Sequence, residues 1–179
     1  MKIISGRFKG RSIKISKEDS FRPTLSRIRE DVFNLLKHSK ILDVNLENSL
    51  LYDLFCGSGS IGLEALSRGA KKVIFNDIDN LNVQLVKDFL VKTELDNYEI
   101  YNNDAFINKD LISKEANIVY IDPPYKSEIK LIEEYIFPQI PNNCLIIFET
   151  DQKFEHRDLI FKKEYKNKNL IFLRKASET

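Results

Sequence analysis

From residue 49 onward the sequence alternates between two hydrophobic periods, and this alternation constrains the fold more than any other feature. Short apolar runs read as strands over Leu50–Phe55, Lys72–Asp77, Glu99–Asn102, Ile118–Ile121 and Cys144–Glu149. Between them lie segments with helical spacing: Ser60–Ser67, about Leu81 to Lys92, a short stretch near Ala105–Ile112, and Ser127–Phe137. A chain that alternates strand and helix builds a parallel sheet covered by helices on both faces. Right-handed crossovers then gather the C-terminal ends of the strands along one rim, where such folds bind ligands. The last two strand-like runs, Leu159–Tyr165 and Leu170–Arg174, are joined by Lys166–Asn169 and read as an antiparallel hairpin.

The segment ahead of this pattern is different in charge. Residues 1–30 hold nine Lys/Arg against three Asp/Glu, a net of +6, whereas the remaining 149 residues hold nineteen against twenty-four, a net of −5. Five of the eight arginines fall there: Arg7, Arg11, Arg22, Arg27 and Arg29. Residues 2–15 read as a hairpin around Gly6 and Gly10, and a helix capped by Thr24 or Ser26 is expected to run to about His38. We therefore expect a basic N-terminal extension over residues 1–20 and a single α/β domain over 21–179. Arginine suits bidentate phosphate contacts, so the extension is a candidate phosphate-binding surface, or equally a solvated charged hairpin. No stretch approaches the roughly 18 apolar residues of a membrane span, and the N-terminus lacks the apolar core of a secretory signal. Cys56 and Cys144 sit in apolar contexts and read as reduced core thiols. A soluble cytoplasmic protein is expected.

Three of the expected strands end in loops rich in glycine or acid. The first, Asp53-Leu54-Phe55-Cys56-Gly57-Ser58-Gly59, runs on to Gly62 between a strand and a helix. Glycines there let the backbone turn sharply and a ligand approach closely. The same Gly-x-Gly-x-x-Gly spacing serves dinucleotide enzymes. A carboxylate at Asp53, however, repels a pyrophosphate and suits a ligand presenting an ammonium group, which favours S-adenosylmethionine over NAD. Asp53 also reads as a cap of the turn. Asp77 lies 20 residues after Gly57, where an acid can accept hydrogen bonds from both ribose hydroxyls. Asp79 then caps the next helix, although the two acids can exchange roles. Asp104 can accept a hydrogen bond from an adenine amino group, with Phe106 or Ile78 against the ring, and reads equally as a helix cap. Phe55, Cys56, Gly59 and Ala105 complete the expected cosubstrate loops.

The fourth loop is the most specific. Ile118–Ile121 leads into Asp122-Pro123-Pro124-Tyr125. Two prolines remove two backbone donors and stiffen the loop while leaving their carbonyls as acceptors. With the Asp122 carboxylate this makes a cluster of acceptors suited to a planar exocyclic amine. Accepting its protons raises electron density on the nitrogen and offsets the positive charge that develops as a methyl group arrives. Tyr125 is placed to stack on the base, a contact worth roughly 1–3 kcal/mol.

Asp-x-Phe-x-Gly-x-Gly followed by Asp-Pro-Pro-Tyr resembles the class I amino-group methyltransferases that use S-adenosylmethionine. The likeness goes further. Ile4-Ser5-Gly6-Arg7-Phe8-Lys9-Gly10-Arg11, the run from Arg22-Pro23-Thr24 through Arg27-Ile28-Arg29-Glu30 to Phe33-Asn34, and Gly62-Leu63-Glu64-Ala65-Leu66-Ser67-Arg68-Gly69 all resemble the RsmD family, over nearly the whole chain. Members of that family methylate a guanine N2 in bacterial small-subunit ribosomal RNA. The resemblance implies a Rossmann-like, mostly parallel seven-stranded sheet with a C-terminal antiparallel hairpin. It implies a catalytic role for Asp122, Pro123, Pro124 and Tyr125, and a cosubstrate role for Asp77, a shorter acid than the Glu common in the family.

The expected reaction is direct in-line transfer, with S-adenosylmethionine along the rim and the guanine turned out of its stack. Arg7, Lys9 and Arg11, with Lys14, are expected to grip the RNA backbone. Arg22 and Thr24 are expected to touch RNA, fold over the methionine carboxylate, or frame the helix start. The partner is 16S ribosomal RNA, free or in a 30S particle or assembly intermediate, and the protein is expected to be a monomer. No metal is expected, since His38 and His156 are isolated and no His/Cys cluster exists. The alternatives are a DNA adenine-N6 or cytosine-N4 methyltransferase, which needs the same amine-holding loop, a non-catalytic RNA-binding module, and an NAD oxidoreductase, which Asp53 disfavours.

Overall fold

The computed structural model of the chain describes residues 1–13, 23–124 and 128–176, with residues 23–25 described by their backbone alone. Its elements run α1 (Pro23–His38), β1 (Leu50–Asp53), α2 (Ser60–Ser67), β2 (Lys72–Asn76), α3 (Asn80–Leu90), β3 (Tyr98–Tyr101), β4 (Ile118–Ile121), α4 (Ile129–Leu131), β5 (Leu145–Thr150), β6 (Leu159–Glu164) and β7 (Asn169–Arg174). The helix begun by α4 passes into a π turn over Ile132–Ile136 and a 3-10 turn over Phe137–Gln139. The sheet has seven strands in the order β3-β2-β1-β4-β5-β7-β6. The first five are mutually parallel, β7 is antiparallel to β5, and β6 is antiparallel to β7. Strand order reverses between β1 and β4, so the crevice outside their C-terminal ends is where this topology places a ligand.

Period-two alternation sends successive side chains to opposite faces, and two cores result. Leu51, Val73, Phe75, Ile118, Tyr120 and Ile147 meet α1, α2 and α3 on one face. Tyr52, Leu54, Ile74, Val119, Ile146 and Phe148 meet residues 105–116 and the α4 region on the other. β4 and β5 are buried along their whole length, β4 and Leu145–Phe148 as their apolar sequences require, and with them the polar end of β5, Glu149 and Thr150.

The N-terminal arm forms the expected hairpin in outline, with an antiparallel bridge between Lys2 and Ser12. It shares the main core: Ile3, Phe8 and Ile13 are buried beside α1 and α2. Gly6 has a φ of 82°, and a Cβ on it would lie 1.8 Å from the Ser67 carbonyl oxygen at the end of α2. The Glu64 carboxylate, fully buried, accepts the Ile4 and Ser5 N–H groups and pairs with Arg68 at 2.7 Å and Arg29 at 3.8 Å.

Two local expectations are corrected. α1 begins at Pro23, a residue suited to the first helical position, so both expected caps, Thr24 and Ser26, fall inside the helix. The stretch near Ala105–Ile112 is a series of turns instead of a helix. Its polar side chains bond locally: Asp104 accepts the Phe106 N–H, Asn108 that of Asp110, and Ser113 that of Glu115. Such bonds compete with the helical ladder.

Candidate active site

The loops at the C-terminal rim are fastened to one another before any ligand is considered. Asp77 Oδ2 accepts the Gly57 N–H at 2.7 Å, and its Oδ1 accepts the Asp79 N–H at 2.9 Å. Asp79 in turn accepts the Leu81 N–H and is the N-cap of α3, the role anticipated for it. The Asn76 amide donates to the Leu54 and Asn103 carbonyls, each at 3.1 Å, and so ties together the loops after β1, β2 and β3. Asn102 donates to the Asp77 and Ile78 carbonyls at 2.9 Å. Gly57 and Gly59 have φ values of 52° and 74°, which glycine adopts without strain.

Between these loops and the end of β4 lies an open cleft of about 380 Å³, within the range of small-molecule sites. Phe55, Gly57, Asp77 and Ile78 line one side, and Asp122, Pro123 and Pro124 the other. With Asp79, eight of the residues singled out in the sequence therefore share one cavity. The cleft also takes in Asn82, Glu149, Thr150, Asp151 and Lys168. Ile78 is 65% exposed at its edge, and the Phe55 ring, which lines the cleft, packs at a tilt against Phe106 with centroids 5.6 Å apart.

Other candidates lie elsewhere. Asp53 is buried beneath the loop and accepts the Gly62 N–H at 2.9 Å, which is its turn-capping reading. Burial, reinforced by the charges of Asp77, Asp122 and Glu149, pushes its pKa up to about 7. Cys56 is buried, and burial pushes its thiol pKa up. Gly59 serves as the N-cap of α2, Ala105 is buried, and Asp104 caps its own turn. Tyr125 and Arg22 lie outside the described residues, as does the side chain of Thr24.

The basic arm sits at the opposite end of the sheet. α2 runs away from the rim, and the Arg7 N–H donates to the carbonyl of Ser67 at its far end. Arg7 pairs with Glu94 at 3.5 Å, and Arg11 donates to the Lys92 carbonyl, both beyond the far end of α3. At 1.5 Å per residue, the eight residues of α2 alone separate Arg7, Lys9 and Arg11 from the glycine loop by about 12 Å. α1 has the reverse sense. Its Asp31 meets Lys163 and Tyr165 at the rim end of β6, and its Leu36 and Lys37 face Arg68 at the far end. The helix therefore begins on the rim side.

The sequence reading missed Glu149 and Lys168. Lys168 Nζ lies 2.6 Å from Asp122 Oδ1 and 2.9 Å from Glu149 Oε2. Burial disfavours the ammonium, yet Glu149 and Asp122 outweigh it and raise its pKa. Burial raises that of Glu149 against the pull of Lys168. Among the described residues no group of three or more His, Cys, Asp or Glu side chains is placed to hold a metal ion, and no helix is long and apolar enough to cross a membrane.

Comparison with known proteins identifies the family and the fold. YlbH of Bacillus subtilis is 35% identical over 164 residues, covering 87% of this chain and 85% of its own length. Ribosomal RNA small subunit methyltransferase D of Buchnera aphidicola is 30% identical over 182 residues, covering 96% and 89%. The solved structure of Escherichia coli YhhF superposes with a TM-score of 0.78 at 28% identity, covering 99% of both chains. The family described as Conserved hypothetical protein 95 matches residues 1–173, and the chain belongs to it, the RsmD family, with the class I methyltransferase fold.

Proposed function

We propose that the protein transfers a methyl group from S-adenosylmethionine to the exocyclic N2 amine of a guanine in small-subunit ribosomal RNA. The observation that carries this reading is the Asp122-Pro123-Pro124 loop facing the glycine and Asp77 loops across one cleft. The names of relatives, ribosomal RNA small subunit methyltransferase D among them, support ribosomal RNA as the substrate.

The residues present suit such a cosubstrate. Asp77 and Asp79 offer carboxylate acceptors for ribose hydroxyls, Ile78 and Phe55 flank a flat ring, and Gly57 allows close approach. Asp122 and the Pro123 carbonyl accept hydrogen bonds from the two amine N–H groups and orient the nitrogen lone pair toward the methyl carbon. The N–C bond forms as the C–S bond breaks, the electron pair stays on sulfur, and the nitrogen then gives up one proton to Asp122 or water. Orientation within the cleft supplies much of the rate. Arg7, Lys9 and Arg11 make a second, distal contact with the RNA backbone.

The test is transfer of labelled methyl groups to small-subunit RNA and particles from cells lacking the protein, with duplex DNA alongside. N2-methylguanosine is the expected product, and Asp122→Ala should lower the rate on the order of 100-fold or more. N6-methyladenosine or N4-methylcytidine would keep the Asp122 chemistry and remove the guanine assignment. Label in DNA alone would move the protein to the DNA-modifying class.

A further inference from the structure

Lys168 is brought to the cleft by topology. The Tyr165 N–H donates to its carbonyl at 2.7 Å and closes the turn between β6 and β7. Asn169, the next residue, pairs with Thr150 at the end of β5. Its ammonium therefore reaches both Glu149 of β5 and Asp122 at the end of β4. The Lys168 side chain is 10% exposed and that of Glu149 only 3%. The second Glu149 oxygen accepts the Tyr120 hydroxyl, so that the carboxylate holding the lysine is itself held. Among the described residues that line the cleft, Lys168 is the one basic side chain.

A buried ion network of this kind adds little stability over apolar packing. Its position suggests another use. Ionised and correctly turned, Asp122 accepts the amine hydrogen bonds most strongly and can take up the proton released after transfer. Asp122 belongs to a group of acids, with Asp77 and Glu149, whose charges reach Asp53 and raise its pKa, and crowded carboxylates take up protons. We propose that Lys168 is a positioning residue for methyl transfer, holding the Asp122 carboxylate ionised and oriented toward the target amine. This rests on the reading of the Asp122-Pro123-Pro124 loop given above.

Among the described residues, the groups facing Asp122 are Lys168, Glu149, Tyr120 through Glu149, and Asp53 and Asp77 at the ends of β1 and β2. The test measures labelled methyl transfer to small-subunit ribosomal RNA across pH. In Lys168→Met, kcat should fall on the order of 10- to 100-fold, with little change in KM for S-adenosylmethionine. The acid limb of the profile should move to higher pH, because the Lys168 ammonium no longer favours the Asp122 carboxylate. Lys168→Arg should leave the limb in place. In an Asp122→Asn background, whose acceptor oxygen does not titrate, Lys168→Met should no longer move it.

A Lys168→Met enzyme with the wild-type kcat and limb overturns the proposal. So does a loss of rate with an unmoved profile, the mark of a merely structural residue. If that variant does not fold, wild type and Asp122→Asn decide the matter. A cation-held Asp122 keeps its acid limb below about pH 5, so wild type and Asp122→Asn give profiles of the same shape from about pH 5 to pH 8, and an acid limb inside that window in wild type but not in Asp122→Asn overturns the proposal. Full activity in Asp122→Ala would instead remove the amine-holding reading itself.

Discussion

Asp53 illustrates how a charged residue in a glycine-loop motif serves the loop first. Its carboxylate fixes the Gly62 N–H at the start of α2 from a buried position, and its pKa is raised to about 7 by burial and by neighbouring acids. An unfolded chain releases this proton near pH 4. Between about pH 4 and pH 7 the folded chain therefore binds the extra proton, and stability falls as pH rises through that window. Asp53→Asn keeps an acceptor for Gly62 and removes the charge. It should flatten the pH dependence and stabilise the fold on the order of 2 kcal/mol at neutral pH, measured by urea unfolding at several pH values. An unchanged slope would mean that Asp53 is ionised in the folded state. At this scale the sequence was informative where a motif is local. Gly57, Asp77, Ile78 and Asp122 to Pro124 all line the cleft. Lys168 and Glu149 were not legible, because neither belongs to a local pattern and only strand pairing brings them to Asp122. The burial of Asp53 depends equally on distant segments.

Among the elements, strands and helices with an unmistakable period were readable to within one or two residues, from β1 through β7. The stretch after β3 was not. Its apolar spacing resembles a helix, while Asp104, Asn108 and Ser113 bond to nearby backbone and turn the chain instead. The N-terminal arm was legible as a hairpin but not as part of the core, since its partners Glu64 and Ser67 lie some 60 residues away. That docking depends on Gly6. A Cβ there meets a backbone oxygen that cannot rotate aside, and the φ of 82° is unfavourable for other residues. Gly6→Ala should therefore destabilise the protein by about 1–3 kcal/mol and increase protease cleavage within residues 1–13, read by melting temperature and limited proteolysis. Resistance equal to wild type would show that the arm redocks without touching Ser67.

For the whole molecule, the cleft and the basic arm lie at opposite ends of the strands, so an RNA that touches both must pass over the side of the protein. The arm's contribution should then be electrostatic and separable from chemistry. Replacing Arg7, Lys9 and Arg11 by Gln should raise KM for RNA and lower the slope of log affinity against log salt by about 0.7–0.9 for each phosphate no longer neutralised. An unchanged slope would leave the arm as a purely structural element. The sheet order has a consequence in time as well as space. β6 precedes β7 in the chain yet reaches the sheet only through it, because β7 lies between β5 and β6. As the polypeptide emerges from the ribosome, β6 has no correct neighbour until β7 has followed. The buried strand β5 meanwhile presents an uncovered edge, the kind of surface on which nascent chains associate. The last hairpin must therefore add as a unit, and its arrival both seals that edge and delivers Lys168 to Asp122 in one event.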